Sequence, residues 1–304
     1  MNYILQGGNK MVKQLSQLIE LAKAKDSVTV AVAQAADKEV LEAVVNAQKE
    51  GIAKALLTGD VAKISAILTE MGENPSDFTI IQADSDEECA FKAVEQIRLG
   101  NANILMKGLL STGTFMKAVI NRDTGLRTGK TISHTMFYEA PSYGKLLCLT
   151  DGGMNTFPDL EKKADILENA IEVVKKLGIE KPTVACVCGA ENVDPKVQST
   201  LDADELSKME RFNDAIVYGP VGLDLAISKE AVHHKGYKNE NAGYADILLV
   251  PTYEVGNGIG KAMTYFAGAK SAGIVVGAKA PIVLVSRSDN AEAKLLSIAL
   301  AAMM

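Results

Sequence analysis

Two patterns of hydrophobic and polar positions alternate along the chain. Short apolar runs rich in β-branched residues, such as Val28–Ala33 and Ile282-Val283-Leu284-Val285, lack polar alternation and read as buried parallel strands. Between them lie segments with apolar residues three and four apart (Met11, Leu15, Leu18, Ile19, Ala22), which read as amphipathic helices. Strands are expected at 28–33, 54–58, 78–82, 103–106, 145–149, 183–187, 215–217, 246–250, 273–276 and 282–285. Helices are expected at 11–25, 37–50, 60–71, 85–99, 111–121, 160–177, 196–211, 223–233, 257–271 and 290–301. Asp37 suits the cap of one helix, and Asp289 or Asn290 the cap of the last. Strict alternation of strand and helix predicts a mostly parallel sheet with helices on both faces. The pattern breaks at 122–144, beginning with a polar, basic stretch from Arg122 to Lys130. That break suggests a discontinuous first α/β domain, residues 1–138 with 273–304, and a second α/β domain, 139–272, inserted into it.

Composition narrows the class of partner. The 304 residues suffice for two domains, and 47% hydrophobic with 23% charged residues is ordinary for a globular protein. A net charge of −6, with no Trp and 5% aromatics, argues against nucleic acid, while a local basic cluster can still hold a small acidic molecule. The four cysteines form no CxxC pair and are expected to be reduced, structural thiols in a cytoplasmic protein. No apolar run approaches the roughly 18 residues of a membrane span, and the first ten residues carry no signal-peptide hydrophobic stretch.

Candidate chemistry gathers where strands meet helices, since ligands of open α/β sheets lie at strand carboxyl ends and helix N-termini favour anions. Ser286-Arg287-Ser288-Asp289 follows the last strand and offers a hydroxyl, a guanidinium and a carboxylate; it could equally be a turn with one surface arginine. Lys107-Gly108-Leu109-Leu110-Ser111-Thr112-Gly113 is another strand–turn–helix, without the GKS or GKT of a P-loop. There Ser111 and Thr112 can cap the helix, and Lys117, with Arg122, would suit a pyrophosphate or acyl phosphate; Arg127 and Lys130 fit a solvated surface better. Asp151-Gly152-Gly153-Met154-Asn155 can orient a substrate or simply make a turn. Gly256-Asn257-Gly258-Ile259-Gly260 is expected to open a helix, but Lys261 stands where the nicotinamide fingerprint wants its third glycine. Its glycines read as an anion cradle or as close helix–strand packing. His134 stands alone, and His233 and His234 point about 100° apart on a helix, so no metal site is expected.

Taken together these motifs resemble the phosphate acetyl/butyryltransferase family, most closely its phosphate butyryltransferase branch. The resemblance runs from about Asp84 onward. It rests on Lys107-Gly108 with Ser111-Thr112, Asp151 with Asn155, Gly219-Pro220 with Asp224, Ala242-Gly243 with Ala245-Asp246-Ile247, Glu254-Val255-Gly256-Asn257, and Ala280-Pro281 through Asp289. It implies two three-layer αβα domains with mostly parallel sheets, like those of isocitrate and isopropylmalate dehydrogenases, and an active-site cleft between them. It also implies acyl transfer between coenzyme A and inorganic phosphate, with acyl-CoA, phosphate and acyl phosphate as the small-molecule partners. Neither a metal nor a permanently bound cofactor is implied; coenzyme A is a substrate. A cytoplasmic homodimer or larger homo-oligomer follows from the same resemblance.

The resemblance assigns Ser286 and Arg287 to the active site and puts Lys117 where relatives carry a helix arginine. Ala293 stands where acetyltransferase members have an aspartate proposed as the base, leaving Asp289 and Glu292 as the nearest carboxylates, with Asp289 taken as the catalytic candidate. Lys107, Ser111, Thr112, Lys117, Asp151, Asn155, Gly256 and Asn257 become candidates for substrate binding. The chemistry suits these residue types. A thiol with a pKa of about 8.5 needs a base or a positive field, and the carbonyl oxygen of a tetrahedral intermediate needs a donor such as Ser286. Arg287 and Lys117 would hold the phosphate dianion, Arg287 through two parallel hydrogen bonds. No Cys lies in these motifs, which favours direct attack in a ternary complex. Acetyl or broad acyl specificity is the nearest alternative. An NAD(P)-dependent dehydrogenase of similar architecture is more distant, and a non-catalytic anion-binding regulator is kept open by Ala293 and Lys117.

Overall fold

The computed structural model describes residues 11–286 and 289–304. The chain first builds α1 (Ser16–Lys23), β1 (Val28–Ala33), α2 (Lys38–Lys49), β2 (Ala53–Gly59), α3 (Val61–Glu70), β3 (Thr79–Gln82), α4 (Asp86–Arg98), β4 (Ile104–Lys107) and α5 (Thr112–Val119). It continues through β5 (Ser133–Glu139), β6 (Leu146–Thr150), α6 (Leu160–Lys176), β7 (Thr183–Val187), α7 (Gln198–Lys208), β8 (Ile216–Val221), α8 (Leu223–Ile227), α9 (Lys229–Lys235), β9 (Ile247–Leu249) and α10 (Tyr253–Tyr265). It closes with β10 (Lys270–Val276), β11 (Ile282–Val283) and α11 (Ala291–Ala302). Helix starts follow the side chains that accept their free N–H groups: Asp37 for α2, Asp60 for α3, Ser85 for α4, Asp159 for α6 and Asn290 for α11.

All strands join one mixed sheet in the order β3-β2-β1-β4-β11-β10-β5-β6-β9-β7-β8. The block β3-β2-β1-β4-β11 is parallel throughout, and so is the block β6-β9-β7-β8. Between them β10 pairs antiparallel with β11 and with β5, and β5 antiparallel with β6. The two parallel blocks therefore run in opposite directions, joined by seven register pairs of β10 with β5, from Lys270↔Glu139 to Val276↔Ser133. The expected α/β architecture is present, with the anticipated sheets fused edge to edge into one.

Strand β5 falls inside the stretch read as a break. Its first half, Ser133-His134-Thr135, is polar yet buried, so no apolar run marks it. Partners elsewhere make this tolerable: Asn169 donates to the Ser133 hydroxyl at 2.9 Å, and the Thr150 hydroxyl donates to the His134 carbonyl at 2.9 Å. The helix expected at 223–233 divides at Ser228, whose hydroxyl accepts from Ala231 N and starts α9. The helix expected at 257–271 begins and ends earlier, because Lys270-Ser271-Ala272 pairs along β5.

The two faces of the sheet are covered differently. On one, a continuous apolar core runs from Leu15, Leu41, Val44 and Ile298 across Ile274 and Phe137 to Leu167 and Val174. Helix α11 is apolar almost all round because α1, α2 and β10 enclose it. On the other face there are two separate cores, one around Phe115, Leu105, Leu126 and Ile282, the other around Tyr138, Leu149, Leu248 and Leu225. Between them β10 and β5 are left open. That gap positions the site.

In the second block the Lys163 ammonium on α6 meets Asp202 of α7 at 2.5 Å, both side chains being buried, and Gln198 donates to the other carboxylate oxygen at 2.7 Å. Replacing one partner strands the other charge in a dry site. Lys163→Met should lower the unfolding free energy by about 3–5 kcal/mol, read by urea denaturation; a loss under about 1 kcal/mol would mean that water reaches Asp202.

Candidate active site

The open face of β10 and β5 forms a cleft of about 410 Å³. Alternate residues of β5 (His134, Met136 and Tyr138) make its floor, with Leu149 of β6 and Ser271 of β10. Helix α10 supplies one wall through Gly256, Asn257, Gly260 and Lys261. The opposite wall is Thr112 with Leu284, Val285, Ser286 and Asp289, and Gly152-Gly153-Met154 lies at the end. A larger hollow of about 560 Å³ beside α6 holds charges already matched, Arg211 with Asp165 and Glu168, and Lys175 with Asp214.

The turn after β11 is built by its own polar groups. Asp289 Oδ2 accepts from Ser286 N at 2.8 Å, and Asp289 N donates back to the Ser286 carbonyl at 3.1 Å. Asn290, not Asp289, caps α11, accepting from Ala293 N at 2.9 Å. The Lys294 ammonium donates to the Asp289 carbonyl from below. Arg287, expected beside them, lies outside the described residues. Glu292, the other candidate carboxylate, sits at the surface in an ion pair with Lys270 at 2.7 Å and does not wall the cleft.

At the end of β4, Lys107 is buried and its ammonium donates to the carbonyls of Gly108 and Leu110 at 3.2 and 3.3 Å. Gly108 is needed because a Cβ there would stand 2.1 Å from the Gln34 carbonyl oxygen, where the ends of β1 and β4 cross closely. Ser111 caps α5, accepting from Thr114 N at 3.0 Å, and Thr112 alone of this pair reaches the cleft. Lys117 is exposed on α5 and is not among the residues walling the cleft.

Two expectations about site residues change in detail. Asp151 and Asn155 are spent on their own turn: Asp151 Oδ1 accepts from Gly153 N and Met154 N at 2.8 and 2.9 Å, and Oδ2 accepts from Asn155 Nδ2 at 2.7 Å. Asn155 also donates to the Ile132 carbonyl, so what these side chains present to the cleft is the Gly152-Gly153-Met154 stretch. The glycines of α10 do not open the helix. It starts at Tyr253, and the Gly256 amide is already bonded to the Thr252 carbonyl at 3.2 Å, leaving it unavailable to an anion. Gly256 and Gly260 serve close packing instead, since Cβ atoms would stand 2.7 Å from Gly152 Cα and 2.3 Å from the Tyr138 hydroxyl.

His134 is the cleft residue that sequence reasoning passed over. A lone histidine between Ser and Thr carries no motif; only the strand pairing puts it on the floor, between Gly153 and Gly273. Its ring is buried, and among the described residues its Nε2 has no hydrogen-bond partner. Burial pushes its pKa below the ordinary value, outweighing the opposing pull of Asp151 and Asp289, so the neutral ring is favoured. The Tyr138 hydroxyl is pushed up, chiefly by burial and then by the Asp289 charge, and stays protonated.

The lowered pKa of His134 has a definite sign for stability. The unfolded chain takes up this proton near pH 6.5, the folded one only lower, so stability falls as the pH drops through about 6.5. Unfolding free energies measured between pH 7.5 and 5.5 should fall more steeply for the wild type than for His134→Gln. Parallel curves would mean that the folded ring is readily protonated.

Comparison with known proteins gives the family. The model of the phosphate acetyl/butaryl transferase family matches residues 13–91 and 87–302. The chain is 46% identical to the phosphate butyryltransferase of Clostridium acetobutylicum, over 96% of this chain and 98% of that one. It is 40% identical to the phosphate acetyltransferase of Thermotoga maritima, over 95% and 98%. A solved structure of a branched-chain phosphotransacylase from Enterococcus faecalis V583 superposes with a TM-score of 0.80 at 36% identity, over 91% of this chain and 98% of that chain. With this cleft at the centre of that shared fold, the chain belongs to the phosphate acetyl/butaryl transferase family.

Proposed function

We propose that the protein is a phosphate butyryltransferase, exchanging a short acyl group between coenzyme A and inorganic phosphate: butyryl-CoA and phosphate give butyryl phosphate and CoA, reversibly. The observation that carries the reading is the Ser286–Asp289 turn, whose hydroxyl and carboxylate border a cleft floored by Met136, Tyr138 and Leu149. Polar groups at the rim suit the reacting centre, and the apolar floor suits a short acyl chain.

In this reading substrates meet directly in a ternary complex. Asp289 takes the thiol proton as CoA attacks the acyl phosphate, and a hydrogen bond from Ser286 or a backbone N–H steadies the carbonyl oxygen as it gains charge. Arg287 grips the phosphate. The buried thiols support a structural, non-catalytic role for these cysteines: Cys148 and Cys186 are pushed up by burial, away from the thiolate form. Thr112 and Asn257 wall the cleft and are assigned to substrate binding, with Lys107 behind the turn. Ser111, Asp151, Asn155 and Gly256 contribute by shaping the walls, and Lys117 is left for the outlying phosphates of CoA.

The proposed domain division, 1–138 with 273–304 against 139–272, is supported by the separate cores on the cleft face. A cytoplasmic homodimer or larger assembly is part of the same proposal; Tyr265 and Phe266, exposed at the end of α10, suit a subunit contact. Among the described residues no helix is long and apolar enough to cross a membrane. The 40% identity to an acetyltransferase favours acetyl transfer as the second reading.

Free thiol released from butyryl-CoA, with and without phosphate and beside acetyl-CoA, tests the proposal. Phosphate-dependent release is expected, with the larger kcat/KM for butyryl-CoA; a larger value for acetyl-CoA would move the protein to the acetyl branch, and no release from either ester would remove the transferase reading. Asp289→Asn should lower kcat by about 10²–10⁴-fold, whereas Glu292→Gln should change it by less than about twofold. The reverse ranking would transfer the role of base to Glu292.

A further inference from the structure

Behind the Ser286 turn lies a second, smaller cavity of about 70 Å³, walled by Asp37 and Val40 of the α2 start, Lys107, Gly108, Leu109, Val285, Ser286 and Lys294. Val285 and Ser286 wall both this cavity and the cleft, so the two spaces meet at the Ser286 turn. The volume is that of roughly two water molecules at ~30 Å³ each. It suits a phosphoryl group and is far too small for the nucleotide of CoA.

The charges around it are unusual. Lys107 is 4% exposed and Lys294 3%. Among the described residues two other lysines shielded from water each have a carboxylate: Lys163 has Asp202 at 2.5 Å, and Lys145 has Asp246 at 2.6 Å. Lys294 differs. Its ammonium donates to the Asp289 carbonyl, and among the described residues no carboxylate lies within 4.0 Å of it. A desolvated ammonium held by one carbonyl dipole is poorly compensated, and a second ammonium on the same cavity adds repulsion. Asp37, the one carboxylate among the described residues on the cavity wall, accepts from Val40 N through Oδ1 at 3.0 Å as the cap of α2. An anion in the cavity would supply the missing charge.

Resting on the acyltransferase reading, we propose that this cavity holds the phosphoryl oxygens during the exchange, and that Lys294 is a phosphate-binding residue alongside Lys107. Inorganic phosphate occupies it in one direction and the phosphoryl end of the acyl phosphate in the other. The acyl chain then lies across the Ser286 turn in the larger cleft. Phosphate attacks the thioester carbonyl from this side: the P–O–C bond forms, the C–S bond breaks, and the sulfur leaves as thiolate or takes a proton from the group that acts as base in reverse. Lys294 takes no part in bond making; it neutralises the nucleophile's charge and fixes where it stands.

Steady-state kinetics of the full-length protein, with phosphate varied at fixed butyryl-CoA and the reverse, test this in wild type, Lys294→Met and Lys294→Arg. Lys294→Met should raise the KM for phosphate about 10- to 100-fold and leave the KM for butyryl-CoA within about twofold; Lys294→Arg should recover part of the loss. Val40→Ile, which adds one carbon to the cavity wall from α2, should raise the same KM and serves if the Lys294 variants do not fold. A parallel readout needs no turnover: inorganic phosphate should raise the unfolding midpoint of the wild type and not of Lys294→Met. An unchanged phosphate KM in a folded variant would overturn the inference and leave the acyltransferase reading intact. A rise in the KM for butyryl-CoA alone would also overturn it, assigning the charge to CoA phosphates, and so would a fall in kcat with both KM values rising together, the mark of a peg for the Asp289 carbonyl. Phosphate-dependent stabilisation lost in Lys294→Met, in a protein that releases no thiol, would support the anion site while removing the acyltransferase reading.

Discussion

The pairing of β10 with β5 is the constraint on which the rest of the molecule depends. Two parallel blocks of opposite direction can share one sheet only through an antiparallel seam, and here that seam is a full seven-residue ladder. Its two faces then have different fates. One is sealed by α6 and α11 into a core common to both blocks. On the other, His134, Met136 and Tyr138 of β5 and Ser271 of β10 line the cleft between two separate cores. The binding space is thus a stretch of sheet left uncovered, and its depth is set by how closely α10 and the turn after β11 approach.

That approach is governed by small residues on one side and by charge on the other. Gly256 and Gly260 let α10 lie against the turn at Gly152 and the ring of Tyr138 without intervening side chains. Across the cleft the turn after β11 is held by Asp289, Asn290 and Lys294, each spending a polar group on a neighbouring backbone atom. Ser286 at the start of this turn faces two cavities at once.

Much of this was legible in the sequence, for identifiable reasons. Apolar runs such as Val28–Ala33 and Thr183–Val187 declare themselves because both of their faces are buried, and capped helices announce their starts through Asp37, Ser85 or Asp159. Strand β5 was not legible, because its polar first half is buried by pairing with β10 and its partners lie far along the chain, Asn169 bonding the Ser133 hydroxyl and Thr150 the His134 carbonyl. His134 was hidden for the same reason. The glycines at 256–260 lie inside α10 rather than at its start, which is Tyr253 after Thr252; glycine spacing alone does not tell a helix opening from close packing within a helix. Asp151 and Asn155 were recognised as a pair, but residue type alone does not tell a carboxylate that holds a substrate from one that holds its own turn.

The order of strands also bears on how the chain comes off the ribosome. β4 is complete early, yet its neighbour β11 is the last of the described strands to be made, and β10 must wait for the whole of the second block before it can pair with β5. Until then the nascent first block carries an open edge at β4, made of Ile104, Leu105 and Met106, beside an unfilled groove that α11 will occupy. An unpaired apolar edge is a template for other chains, and closure across so long a separation is entropically slow. The arrangement that leaves a cleft in the finished protein therefore leaves an unpaired apolar border in the unfinished one.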